Sequence, residues 1–388
     1  MHARAEKLTG LQAMRGVAAL LVVLHHAAGT LALPKYAGIV IAGGILTPLG
    51  RAGVDLFFVL SGFVIYYVHH ADIGRAQGFR RYMLRRLVRI YPTYWVVLFL
   101  MLALFLGHPS FGGDAPHSPR AIVQSFLLVP FTTPGEFTIV GVAWTLSHEL
   151  LFYTLFGLAI LDSRFGARLF DGWFCCLAAA ALVLPAPLPP PLNFLLHVKN
   201  LEFFIGMGVA RLVLAGGSSR PASWPLLLAG AACFVGTGVV ELQGHDFQTT
   251  APTLFYGLGA GMMILAAASL EMQGRLGRVP PLLGFLGAAS YSIYLIHHPV
   301  VIGLAKAVHA SGLDVYAGAG AALPLLVLLA LPAVLAGIML YLAVERPVLH
   351  TARRVLAAAP RIVPIPAPTF GGGAGLASPV PPTASSPP

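Results

Sequence analysis

Ten apolar stretches, most of them about long enough to cross a hydrocarbon core, recur along this chain. They fall near residues 11–33, 52–70, 90–107, 138–160, 173–184, 194–214, 224–240, 250–270, 282–305 and 321–344. A bilayer core is about 30 Å thick, which a helix spans with about 20 apolar residues. In lipid every backbone N–H and C=O must find its partner within the protein, so such runs fold as helices. The composition agrees: 57% of the 388 residues are hydrophobic and 10% charged, with mean hydropathy +0.81, against about 25% charged residues in a soluble domain. The expected fold class is therefore all-α, a polytopic integral membrane bundle of about ten transmembrane helices. The run at 173–184 is short and leads into the proline-rich Pro185–Pro191. The apolar segment 121–131 is too short to span and reads as a re-entrant or interfacial piece. The first run follows Arg4 and Lys7 as a secretory signal would. It is too long for a signal core, and no A-x-A cleavage site precedes Lys35, so it reads as a retained helix.

The charges orient the bundle. With the N-terminus cytoplasmic, eighteen of the 24 Lys and Arg residues fall on cytoplasmic segments and five on outer ones, with Arg15 inside the first run. That bias follows the positive-inside rule and puts both termini in the cytoplasm. The net charge of +10 is then a membrane-orienting charge, and no nucleic-acid partner is read from it. Residues 1–350 form the expected membrane domain. Residues 351–388, rich in Pro, Ala and Gly, lack the means to bury a core and are expected to be disordered. Cys175, Cys176 and Cys233 make no CxxC and no even disulfide framework, and the neighbouring Cys175 and Cys176, in an apolar run, read as core residues.

Arg15 and His26 are the ionisable groups that stand out in the first run. Eleven residues apart, they are turned by about 1100°, three turns plus about 20°, so they share one helix face about 16 Å apart. Ionisable groups inside a membrane mark functional sites by default. Six arginines crowd residues 75–89, and Arg81, Arg85 and Arg89 recur every fourth residue. Two readings stand: a topology anchor snorkelling to headgroups, and an anion site in which guanidinium forks grip phosphate. Asp55 lies at the outer mouth of the second run, where a buried carboxylate calls for an imidazole or guanidinium partner. Ser147, His148 and Glu149 lie in the fourth run, with a nearby histidine as Glu149's natural partner. The ninth run carries Ser290, Tyr291, Ser292, Tyr294, His297 and His298. Glu345 and Arg346 read as a cap and anchor at the end of the tenth run. The pairs His25–His26, His69–His70 and His297–His298 diverge by about 100° on a helix and are poor metal chelates, so no metal is expected.

Five segments in order resemble the acyltransferase-3 family over residues 8–350. They are Arg15 and His26 spaced by ten residues, Gly53 to Phe63, Arg86-Leu-Val-Arg89-Ile-Tyr-Pro92, Trp144 to Tyr153 with Thr145 where Ser is commoner, and Tyr291 to His297. The spacing selects His26 rather than His25. No SGNH-type esterase segment follows, which implies the stand-alone form. The resemblance implies a polytopic O-acyltransferase of the bacterial inner membrane. Its donor would be acyl-CoA, usually acetyl-CoA, on the cytoplasmic side. Its acceptor would be a hydroxyl of a carbohydrate, a lipid-linked sugar or a small molecule.

Within that reading His26 is the general base and Arg15 contacts the donor or stabilises developing charge. Glu149 or Asp55 holds the other imidazole nitrogen. Arg85, Arg86, Arg89, Tyr294 and His297 bind the donor. A different class, a transporter or flippase for a small acid or glycolipid, also fits polar helix faces and 43 glycines. No inverted repeat supports it.

Overall fold

The computed structural model describes residues 8–107, 118–129, 138–183, 188–216, 224–243, 250–313 and 319–358. Arg4, Lys7, Pro185, Arg220, Arg361 and the rest of the expected tail beyond 358 lie outside these residues. Fourteen α-helices follow one another: α1 Thr9–Ala32, α2 Leu46–Arg51, α3 Gly53–His69, α4 Phe79–Gly107, α5 Pro119–Leu127, α6 Trp144–Leu161, α7 Ser163–Val183, α8 Leu192–Leu195, α9 Asn200–Gly216, α10 Trp224–Leu242, α11 Thr250–Met272, α12 Pro281–Ala310, α13 Ala322–Leu340 and α14 Arg346–Ala358. A π-turn, Tyr341–Glu345, joins the last two. No strand occurs among the described residues. The protein is an all-helical, multi-pass membrane bundle.

Nine helical segments among the described residues are long and apolar enough to cross a bilayer. The run expected at 194–214 is not among them. It folds as α9, which has 17 residues and rises about 26 Å. Chain direction settles its role. Gln12 and Gly16 of α1 meet Gly287 of α12, Arg15 meets Ser290, and His26 meets His297, so α1 and α12 run parallel. Parallel spans need an odd number of crossings between them. Helices α3, α4, α6, α7, α10 and α11 are six, and α9 is the seventh. Asp55–Lys199, Gly62–Phe203 and Tyr66–Arg211 likewise set α3 and α9 parallel, with α4, α6 and α7 between them. The bundle therefore alternates as ten crossings, with an end that carries Arg15, Arg86 and Arg89 and an end that carries His25, His26 and His298.

Small residues let the helices touch, as expected where lipid leaves packing to drive association. A Cβ on Gly287 would fall 1.8 Å from the Gln12 carbonyl oxygen, and one on Gly62 2.2 Å from that of Phe203. Three ion pairs tie distant spans: Lys199 to Asp55 at 2.5 Å, Arg51 to Glu241 at 2.5 Å, and Arg89 to Glu345. Pairing of this kind is what charges in a membrane require. At the arginine end Asp162 stops α6 and starts α7. Its Oδ1 accepts from the N–H groups of Arg164 (2.8 Å) and Phe165 (3.0 Å), and these donors hold its carboxyl below the usual carboxylate range.

Two expectations change. Cys175 and Cys176 are exposed on α7 rather than core; that helix packs at the periphery of the bundle, where an apolar side chain faces lipid at no cost. The helix that leaves the last span continues to Ala358, into the segment expected to be unstructured. The short apolar segment at 121–131 contributes α5. The Ser118 hydroxyl caps it by accepting from the Ala121 N–H, and Tyr91, Tyr94 and Trp95 of α4 donate to the carbonyls of Leu127, Ser125 and Phe126.

Candidate active site

A cavity of about 100 Å³ opens among α1, α3, α4, α6, α9 and α12. Its polar wall is made by Arg15, Ser61, Arg86, Arg89, Glu149, Tyr153, Ser290, Tyr291 and Tyr294, its apolar wall by residues such as Phe57, Phe58 and Phe203. The three guanidiniums differ in what compensates them. Arg89 donates to Glu345, whose Oε2 accepts from the Ser292 hydroxyl at 2.5 Å. The π-turn carries this glutamate into the bundle, where it is 1% exposed. Glu345 is thus a buried counter-charge rather than the end cap expected of it. Among the described residues Arg15 reaches only a hydroxyl, Ser290 Oγ at 3.4 Å. Arg86 donates to His69 Nε2 at 2.9 Å and lies over the rings of Tyr82 and Tyr153. Among the described residues neither Arg15 nor Arg86 has a carboxylate in ion-pair contact. Two positive charges therefore face the cavity without a bridging anion. Arg85, expected beside them, is exposed on the outer side of α4, because adjacent helical positions turn by about 100°.

Glu149 sits opposite, accepting from Ser61 Oγ at 3.2 Å and from the Tyr153 hydroxyl. It does not meet a histidine. The neighbouring His148 turns away to Asn200, at 2.9 Å, inside a cage of Phe58, Trp144 and Phe194. Asp55 is 1% exposed and paired with Lys199, not with an imidazole or guanidinium. Nor does it reach His26.

The imidazoles form a second group nearer the other end. His26 and His297 approach at 3.1 Å through Nδ1 and Nε2. His297 Nδ1 lies 2.6 Å from the Tyr294 carbonyl oxygen, and His26 Nδ1 3.0 Å from that of Val22. A carbonyl oxygen only accepts, so both Nδ1 atoms carry the proton. His26 Nδ1–H then donates to Val22 O and His297 Nε2, and its own Nε2 is left with the lone pair. The backbone of α1 thus fixes the tautomer that the sequence had assigned to Asp55 or Glu149. His25 departs from the stripe and donates to Thr47 O at 2.8 Å. Tyr294 joins the two groups. Its ring is in the cavity wall and 5.7 Å from that of His297, and its hydroxyl donates to Val142 O at 2.9 Å.

The family model described as an acyltransferase domain, Acyl_transf_3, matches residues 8–343. This chain belongs to the acyltransferase-3 family. It is 33% identical over 323 residues to the exopolysaccharide production protein ExoZ of Rhizobium meliloti (strain 1021), covering 80% of this chain and 93% of that one. It is 29% identical over 331 residues to the acyltransferase MdmB of Streptomyces mycarofaciens, covering 78% and 81%. No solved structure matches. The protein is thus a membrane acyltransferase that moves an acyl group other than an aminoacyl group. Sequence motifs led to Arg15, Arg86, Arg89, Glu149 and Tyr294, which the fold brings to one cavity. They did not lead to His69, Asp72 or Lys199. A lone lysine between apolar residues and Glu202 was the signal for the last of these.

Proposed function

We propose that this acyltransferase takes an acyl group, most simply acetyl, from acyl-CoA at the arginine end. It passes the group to a hydroxyl of a carbohydrate or other surface or secreted acceptor, with His26 as general base. The observation that carries the reading is the pair of guanidiniums, Arg15 and Arg86, that face one cavity and, among the described residues, have no carboxylate in ion-pair contact. Such groups suit the phosphates of a coenzyme A thioester. The positive-inside bias supports a cytoplasmic arginine end and cytoplasmic termini, and the bacterial relatives fit a home in the bacterial inner membrane. The names of the relatives support parts of this reading: exopolysaccharide production, in one, fits a carbohydrate acceptor, and acyltransferase, in the other, fits acyl transfer.

In this mechanism the acceptor oxygen attacks the thioester carbonyl carbon while its proton passes to His26 Nε2. The C–S bond then breaks, and the leaving thiolate takes up a proton. A neutral imidazole with a fixed tautomer suits that step near neutral pH. The donor's acyl end must pass the Tyr294–His297 layer to reach His26. Arg15, which belongs both to the cavity and to the helix of His26, stabilises charge on the donor side.

Binding of coenzyme A to the detergent-purified protein tests the donor site. Arg15→Ala and Arg86→Ala are each expected to weaken it about tenfold or more. Unchanged affinity in both would sink the anion site. Donor-independent flux of a small acid into proteoliposomes would support the transport reading instead.

A further inference from the structure

The cavity residue Arg86 is held by a histidine on the neighbouring span. His69 ends α3, and Asp72 follows within the turn that leads to α4. His69 Nδ1 is 2.8 Å from Asp72 Oδ2, and His69 Nε2 is 2.9 Å from Arg86 Nη2. A carboxylate only accepts and a guanidinium only donates. The ring must therefore carry its proton on Nδ1 and a lone pair on Nε2. An imidazolium would set two donors against each other at the Arg86 contact. His69 is 5% exposed and packs edge-on against Tyr82, whereas the Asp72 side chain is 43% exposed.

The contrast with Arg89 shows what this arrangement does. Arg89 meets a buried carboxylate, which both orients and neutralises it. Arg86 meets a neutral acceptor, which orients it and leaves its charge available to the cavity. The only carboxylate in the relay sits one ring further away and is partly in solvent, which screens it. Arg86 Nε is buried with no hydrogen-bond partner among the described residues, so the fork is gripped on one edge.

We infer that His69 and Asp72 are positioning residues for the acyl donor. Asp72 fixes the His69 tautomer, and His69 Nε2 aims Arg86, which has no ion-paired carboxylate among the described residues, at a phosphate of the donor. The groups that face the relay are Asp72, Tyr82, Arg85, Arg86, Tyr153 and Glu149. The inference rests on the donor reading of the cavity.

The test is steady-state kinetics of the full-length enzyme with acetyl-CoA as the varied substrate. His69→Leu removes the acceptor and is expected to raise the donor KM about tenfold, with kcat within about twofold. His69→Gln places an amide oxygen where Nε2 stood and is expected to keep KM near the parental value. Asp72→Ala is expected to raise KM by a smaller factor. It also serves where His69→Leu fails to fold. A fall in kcat with KM unchanged, or no rescue by His69→Gln, would overturn the inference. Arg86→Ala separates the two levels of the claim. If Arg86→Ala raises KM and neither His69→Leu nor Asp72→Ala does, the relay is wrong and the donor site stands. If Arg86→Ala leaves KM unchanged, the donor site itself fails.

Discussion

Lys199 and Asp55 illustrate how single residues here are held by charge rather than by packing. Both are at least 90% buried as side chains, and removing one partner leaves the other uncompensated. Lys199→Met is expected to destabilise the protein by about 3–5 kcal/mol, and Asp55→Asn in the same chain to restore much of that loss. Thermal melting in detergent measures both, and an additive double mutant would contradict the pairing. Glu202, 0% exposed beside this pair, finds a hydrogen-bond partner among the described residues only in Asp55, and only when one of the two carboxyls carries a proton. Glu202→Gln is therefore expected to match or exceed the parental melting temperature. At this scale the sequence revealed which residues are costly but not which partners meet their cost. Asp55 signalled a need for a counter-charge. That it was lysine depended on α3 and α9 running parallel in contact, a long-range fact with no local signature. The tautomer of His26 was hidden for the opposite reason: its partner, Val22 O, is a backbone group that the sequence does not distinguish.

Helices in this bundle approach as closely as their glycines allow. Gly287 faces the Gln12 carbonyl, while Gly284, on the same helix, has open space where its Cβ would stand. Gly287→Ala is expected to cost about 1–3 kcal/mol through overpacking, and Gly284→Ala to leave stability unchanged or slightly raised. Equal melting temperatures for the two would contradict the α1–α12 register. The turn between α6 and α7 has a pH dependence. Asp162 is capped by two N–H groups, so its carboxyl titrates below its unfolded value. The stabilisation is present above that unfolded value and is lost as pH falls through the folded one. The melting temperature of the parent is expected to fall on acidification more steeply than that of Asp162→Asn, which caps without titrating. Periodicity and length made most elements legible, including all ten spans. α9 was expected as a span although its helix is one turn short. The π-turn at Tyr341–Glu345 was not legible, because its signal is only an acid at the end of an apolar run.

At the scale of the whole molecule the described residues alternate as ten crossings, and that topology has a direct test. In a cysteine-free background, Cys at Lys35, Gln243 and Ser311 should react from one side, and Cys at Arg164 and Arg275 from the other. If α9 did not cross, Gln243, Arg275 and Ser311 would each switch sides. The class and span count followed from hydropathy and charge bias, and the family from five ordered motifs. The division of the site into a guanidinium cavity and an imidazole group, joined by Tyr294, needed the fold. Periodicity set Arg15 and His26 on one face, but the cavity that closes around Arg15 comes from six helices, and His26 meets His297 of α12. The central claim is that these two groups act together in transferring an acyl group. Mass spectrometry of surface glycans and lipids is its most direct measurement, comparing cells that carry the parental protein with cells that carry equally abundant, correctly inserted His26→Ala. The account predicts an acetyl increment with the parent and its loss with His26→Ala. An increment retained at the parental level would contradict it.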